Sequence, residues 1–72
     1  MTDRVHSAPR LRAIDRAIEG APVDAIRSIA EHWDLDAVDG PALKNAVRVW
    51  ARDSITDGQP LAMVCGIIRE GV

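Results

Sequence analysis

Phenylalanine and tyrosine are absent from this chain of 72 residues, and its only cysteine is Cys65. A single cysteine excludes an internal disulfide and any zinc site built from several cysteines, and it favours a reducing, cytoplasmic setting. The longest apolar run, residues 60–68, is too short to cross a bilayer, and the N-terminal residues contain no apolar signal segment. We therefore expect a soluble cytoplasmic protein.

Sequence signatures of catalysis are also lacking. The chain contains neither a glycine-rich phosphate-binding loop nor a Gly-x-Ser-x-Gly nucleophile elbow. Cys65 lies in "AMVCGII", the most apolar part of the chain, where a thiol behaves as a small core residue. Because a helical domain this small rarely encloses a substrate pocket, we expect no enzyme activity, no cofactor and no small-molecule substrate.

Four segments have the pattern of amphipathic helices. Each begins near a proline, which suits the first turn of a helix because its missing N–H group costs nothing there. Apolar residues then recur at three- and four-residue steps, as in Leu11, Ile14 and Ile18. No segment alternates between apolar and polar residues like a β-strand, so the pattern predicts an all-α fold.

The predicted fold is a compact single domain of four short helices. The predicted helices span about 9–19, 22–33, 41–54 and 59–70. Residues 1–8 are predicted to form a flexible N-terminal arm before a single helical domain of residues 9–72. Trp33 and Trp50 are expected in or beside the core, but the pattern does not distinguish an up-down bundle from an orthogonal cluster.

The acidic stretch "EHWDLDAVDG", residues 31–40, superficially resembles a metal site. A calcium loop starting at Asp34 needs a carboxylate at its twelfth position, which is Asn45. His32 lacks a second strong ligand on the same helix face, so a transition-metal site is also disfavoured. We predict an acidic, capped loop between helices and no metal. Two alternatives stay open for its surplus charge, a solvated face and a patch for a basic partner.

The fourth predicted helix has no polar face over two turns. From Leu61 to Ile68 every residue is apolar or glycine, whereas a surface helix normally shows a polar side. It is either a central core helix or an interface with a second copy or another protein. The candidate partner-binding residues are Leu61, Met63, Val64, Ile67 and Ile68.

The third predicted helix carries a basic stripe. Lys44, Arg48 and Arg52 follow one another at four-residue steps and therefore share one face. Such a stripe can contact phosphates of a nucleic acid or an acidic partner. It is also what a solvated helix face looks like when nearby acids such as Asp53 and Asp57 pair with it. The net charge of −2 disfavours nucleic-acid binding.

Residues 38–68 carry a family resemblance. "VDGPAL" followed by "SITDGQPLAMVCGII" resembles the second half of a sterile alpha motif domain, in which "DG" precedes a leucine-rich helix and a glycine-led turn opens the last helix. The aromatic residues usual in the first half of that family are missing here. The resemblance implies association with other proteins.

The sequence thus favours binding over catalysis. We predict a small non-catalytic protein-binding module, that is, a regulator, inhibitor or adaptor that acts through the apolar surface of helix four. One alternative within this prediction is that the surface binds a second copy of the chain to form a homodimer. The alternative is a small DNA-binding transcriptional regulator that uses the basic stripe. Eight arginines against one lysine are typical of a GC-rich bacterial, archaeal or phage genome, and a phage or mobile element is one expected source.

Overall fold

A computed structural model of the chain describes residues 8–36 and 40–72. The helices are α1 (Ala8–Gly20), α2 (Val23–His32), α3 (Gly40–Thr56) and α4 (Leu61–Glu70). No strand occurs among the described residues, so the predicted all-α domain of four helices is confirmed. Each helix end lies within two residues of its predicted position. Ala8, which we assigned to the arm, begins α1, and the rest of the predicted arm lies outside the described residues.

Prolines mark the helix starts, as the sequence predicted. Pro22 and Pro60 are the N-cap residues of α2 and α4, and both have extended backbone (φ −62° and −63°). Their carbonyl groups accept the first backbone hydrogen bonds of these helices, while neither has a side chain that caps the free N–H groups. Pro9 and Pro41 are the second residues of α1 and α3, where the fixed proline φ favours helix.

The core lies where the four apolar faces meet. Both α1 and α2 pack against α3 and α4, and α3 packs against α4. The buried residues of α3 repeat at four-residue steps and therefore share one face, and this face of the long helix contacts all three other helices. They are Leu43, Val47, Ala51 and Ile55. The largest fully buried side chains are Ile14, Ile18, Ile26, Ile29, Leu43, Val47, Val64 and Ile68.

Helix α4 is buried on one side only. Val64, Cys65 and Ile68 face the core, whereas Met63 is 44% exposed and Ala62 is exposed. The three other helices are too few to surround α4, so part of its apolar surface remains in contact with solvent. The two sequence-based alternatives, core helix and exposed apolar surface, therefore describe opposite sides of the same helix.

The end of α4 is attached to α2 by a close backbone approach. Ser28 Oγ donates to Val72 O at 3.0 Å, and Val72 N donates back to Ser28 Oγ at 2.9 Å. Gly71 has φ +82°, and a Cβ atom there would lie 3.1 Å from Ala25 Cα. Glycine is thus required both by the backbone angle and by the lack of space.

Helix α2 ends in a Schellman motif. Leu35 N donates to Ala30 O at 2.8 Å and Asp34 N donates to Glu31 O at 3.3 Å, the two bonds that define this motif. Asp34 has φ +53°, the left-handed conformation that glycine usually supplies at this position. Residues 31–36 of the acidic stretch therefore form the end of α2 and the turn after it, Gly40 begins α3, and the rest of the predicted loop lies outside the described residues.

Replacing Asp34 with glycine should raise the free energy of unfolding by about 0.5–1 kcal/mol, because glycine adopts positive φ without a steric penalty from Cβ. Urea denaturation followed by circular dichroism measures the change. Asp36→Gly is the matched control, since Asp36 is outside the helices and has no positive φ. A similar gain in both variants would contradict the assigned strain at Asp34.

Candidate functional site

An open groove of about 710 Å³ runs along α3, beside the segment that follows α2. Its floor and walls are mostly apolar, while its ionisable lining residues are all acidic. The apolar residues are Trp33, Leu35, Ala42, Ala46, Val49 and Trp50. The acidic residues are Asp36, Asp53 and Asp57, which we call the rim acids.

A second depression of about 340 Å³ continues the groove towards α4. It shares Trp33 and Trp50 with the first depression and adds Met63 and Ile67. Because the two depressions have the tryptophan pair in common, they form one continuous surface. We call this surface, centred on the two tryptophans and extending to Val49 and to Met63, the tryptophan groove.

The two tryptophans contact each other at the centre of this groove. Their ring centroids are 4.7 Å apart with an interplanar angle of 41°, and the rings of His32 and Trp33 form a T-shaped contact with their centroids 4.5 Å apart. Trp50 is half-buried against the core, and Trp33 is 40% exposed on top of it. Trp50 is therefore beside the core, as predicted, whereas Trp33 is exposed and contacts Trp50, a contact that the sequence pattern did not indicate.

Exposed apolar side chains are concentrated in the tryptophan groove. Among the described residues, five large apolar side chains are exposed, and Trp33, Val49 and Met63 all line the groove. The other two, Val23 and Val72, line neither depression. Isolated exposed apolar residues are ordinary, whereas a contiguous group marks a surface suited to binding.

The rim acids are not paired with cations of the described part of this chain. Within residues 8–36 and 40–72, none of Asp36, Asp53 and Asp57 forms an ion pair. The ion pairs found there are Arg27–Asp24, Lys44–Glu19 and Arg48–Asp15. Asp15, Glu19 and Asp24 thus each have a cation beside them, whereas no cation among the described residues pairs with the carboxylates around the groove.

The basic stripe of α3 faces α1. Arg48 Nε lies 2.7 Å from Asp15 Oδ1, and Lys44 Nζ lies 3.7 Å from Glu19 Oε1. Arg52 is exposed and has no ion pair within the described chain. Acids do pair with the stripe, but naming Asp53 and Asp57 as their source was wrong, because those two lie on the groove side of α3.

The five candidate residues of α4 divide into three groups. Met63 and Ile67 line the tryptophan groove, and Leu61 is half-buried in a separate depression between α1 and α4. Val64 and Ile68 are only 1% and 0% exposed. Both belong to the buried core, although Val64 also lines the second depression, and a partner-binding role for these two stays a prediction.

Sequence reasoning missed the α3 side of the groove. Ala42, Ala46 and Val49 form a second apolar row at steps of four and three residues, beside the row that faces the core. This second row was the available signal. Val49 lies between Arg48 and Trp50 and is 48% exposed, so it belongs to this second row and not to the row that faces the core.

Cys65 has the surroundings of a core residue. Its side chain is buried, and its Sγ lies 3.8 Å from the carbonyl oxygen of Ala13. Burial raises the pKa of the Cys65 thiol, and the positive charge of Arg69 offsets part of that rise. The thiol is therefore protonated at neutral pH, which is unfavourable for a nucleophile.

The part of the acidic stretch that the structure describes contains no metal-binding cluster, and neither does any other described part of the chain. Asp39 lies outside the described residues. None of the described helices combines the length and the hydropathy needed to span a membrane.

Comparison with protein-family models, with curated proteins and with solved structures gives no match, so the resemblance of residues 38–68 to a sterile alpha motif domain rests on the quoted residues alone.

Proposed function

We propose that this chain is a small, non-catalytic protein-binding module that acts as a regulator, inhibitor or adaptor and binds its partner through the tryptophan groove. The observation that supports this most directly is the gathering of exposed Trp33, Val49 and Met63 around a contacting tryptophan pair. Tryptophan is strongly enriched among residues that dominate binding energy at protein interfaces.

The groove is also held in place before any partner binds. Trp50 is anchored in the middle of α3 and packs against the core, and Trp33 rests on its ring. An aromatic pair in offset or tilted contact resists rotation, so little side-chain entropy of the two tryptophans would be lost when a partner binds.

A buried, protonated Cys65 is compatible with the proposed cytoplasmic setting.

The alternative function, a DNA-binding regulator, has less support. Binding of DNA phosphates by Lys44 and Arg48 would first have to break their contacts with Glu19 and Asp15. Only Arg52 of the stripe is without such a contact among the described residues. We therefore assign binding to the groove and not to the basic stripe. A bacterial or phage origin is also part of the proposal, because of the high ratio of arginine to lysine.

Val49→Asp should abolish capture of the partner, because it introduces a charge into the apolar wall of the groove. Val23→Asp is the matched control: Val23 is 57% exposed, against 48% for Val49, and lies outside the groove. Wild type and both variants are used to capture proteins from an extract of the native host, followed by quantitative mass spectrometry.

The proposed function predicts a protein that wild type and Val23→Asp retain and that Val49→Asp loses by at least about tenfold. Both variants should keep the helical circular dichroism of the wild type, since both positions are exposed. Equal retention by the two variants, or loss with Val23→Asp as well, would rule out the groove as the binding surface.

A further inference from the structure

Building on the proposed function, we propose that the occupant of the tryptophan groove is a basic amphipathic helix of another protein. Its apolar side chains would contact the tryptophan pair and Val49, and its lysines or arginines would face the rim acids. The described chain has no strand, so it offers a partner no sheet edge for backbone pairing. A helix lying in a groove is the recognition mode that relies on side-chain contacts instead.

The charges around the groove select the sign of the partner. Every ionisable side chain that lines either depression is an aspartate, and none of the three has an ion pair among the described residues. The neighbouring cations Lys44 and Arg48 are directed to the α1 side of α3. A partner with positive charge beside its apolar face would complement this surface, and an acidic partner would be repelled.

The end of α3 adds to this preference. Asp53 lies in the last turn of α3 and Asp57 directly follows the helix. The carbonyl groups at a helix C-terminus carry partial negative charge, which favours a nearby cation. The carboxylates of Asp53 and Asp57 and the C-terminal end of α3 would therefore all attract a cation at one end of the groove. Asp36 lies on the opposite side, beyond α2.

The same charges argue against a second copy of this chain as the occupant. A two-fold symmetric contact through the groove would place the same patch on both sides of the interface. The rim acids of one copy would then face those of the other, with no basic residue lining the groove to separate them. Like charges brought together in this way oppose association.

Synthetic peptides of about 18 residues test the partner chemistry, since helices of that length form readily. Three fluorescently labelled peptides share one apolar face of leucines and differ in the flanking positions, which are lysine, glutamine or glutamate. Fluorescence anisotropy with the wild-type chain should give at least about tenfold tighter binding of the lysine peptide than of the glutamine peptide. This ratio should shrink towards one at about 1 M salt, where charges are screened within about 3 Å.

Two triple variants separate local from overall charge. Asp36→Asn, Asp53→Asn and Asp57→Asn together should remove the preference for the lysine peptide and leave binding of the glutamine peptide unchanged. The control variant carries Asp15→Asn, Glu19→Gln and Asp24→Asn, which change the net charge equally at acids outside the groove. It should keep the preference.

Several results would overturn this inference. Equal binding of the lysine and glutamine peptides, no binding of any peptide, or equal loss in the two triple variants would each exclude a basic helix selected by the rim acids. A wild-type dimer in light scattering that Val49→Asp dissociates would identify a second copy as the occupant. The proposed function is judged separately, by whether the captured protein distinguishes Val49→Asp from Val23→Asp, and the peptide results do not enter that comparison.

Discussion

Replacing Ile68 with aspartate should unfold the chain, whereas replacing Met63 with aspartate should leave it folded. Ile68 is 0% exposed, so the variant loses the burial of a large apolar side chain and places an unpaired carboxylate in the core. The combined cost is about 5 kcal/mol or more. A chain of 72 residues has about 4–11 kcal/mol of total stability, so most molecules would lose their helical structure.

Met63 lies on the same helix but on its solvent side. With 44% of the residue exposed, an aspartate there can keep its carboxylate in water, and the expected loss is about 1 kcal/mol or less. Far-ultraviolet circular dichroism and urea denaturation of both variants measure the difference. Met63→Asp should still weaken partner binding, because Met63 lines the groove.

This comparison can fail in two ways. If Met63→Asp also unfolds the chain, the outer side of α4 is buried and the second depression does not exist as described. If Ile68→Asp keeps a cooperative urea transition, α4 does not contribute that face to the core. A half-buried position such as Ile67 should lie between the two, which makes Ile67→Asp a useful third point.

The contrast between these residues also marks the limit of sequence reasoning on α4. Helix positions were predictable because proline at a helix start and apolar spacing are local properties of the chain. The buried side of α4 was not predictable, because Val64 and Met63 are both apolar and adjacent. Their difference in burial arises only from where the other three helices lie.

Contacts between distant residues limited the prediction of the site in the same way. The partner of Arg48 is Asp15, 33 residues away, whereas local spacing had pointed to Asp53 and Asp57. Trp33 and Trp50 were both expected beside the core, but their contact joins the end of α2 to the middle of α3. Patterns within one helix report its faces and carry no information on which faces of two helices meet.

Trp33→Ala should separate binding from folding at the centre of the groove. Trp33 is 40% exposed and follows the last turn of α2, so its removal should cost about 1 kcal/mol, mainly the aromatic contact with Trp50. Partner affinity should fall at least about tenfold, because the exposed ring is the largest apolar anchor on this surface. Trp50→Ala should instead cost about 2–3 kcal/mol, since Trp50 also packs against the core.

Urea denaturation and titration with the captured partner measure the two effects in parallel. Trp33→Phe is the control for the aromatic contact and should recover most of the affinity, because a phenyl ring can still rest on Trp50. If Trp33→Ala binds the partner as tightly as the wild type, the centre of the groove is not the binding surface.

Trp33→Ala also leaves Trp50 as the remaining tryptophan, so the fluorescence of this variant reports the surroundings of the Trp50 ring alone. A shift of its emission to longer wavelength would mean that Trp33 shields Trp50 from water. This shielding would explain why Trp33 is held against Trp50 in the absence of a partner.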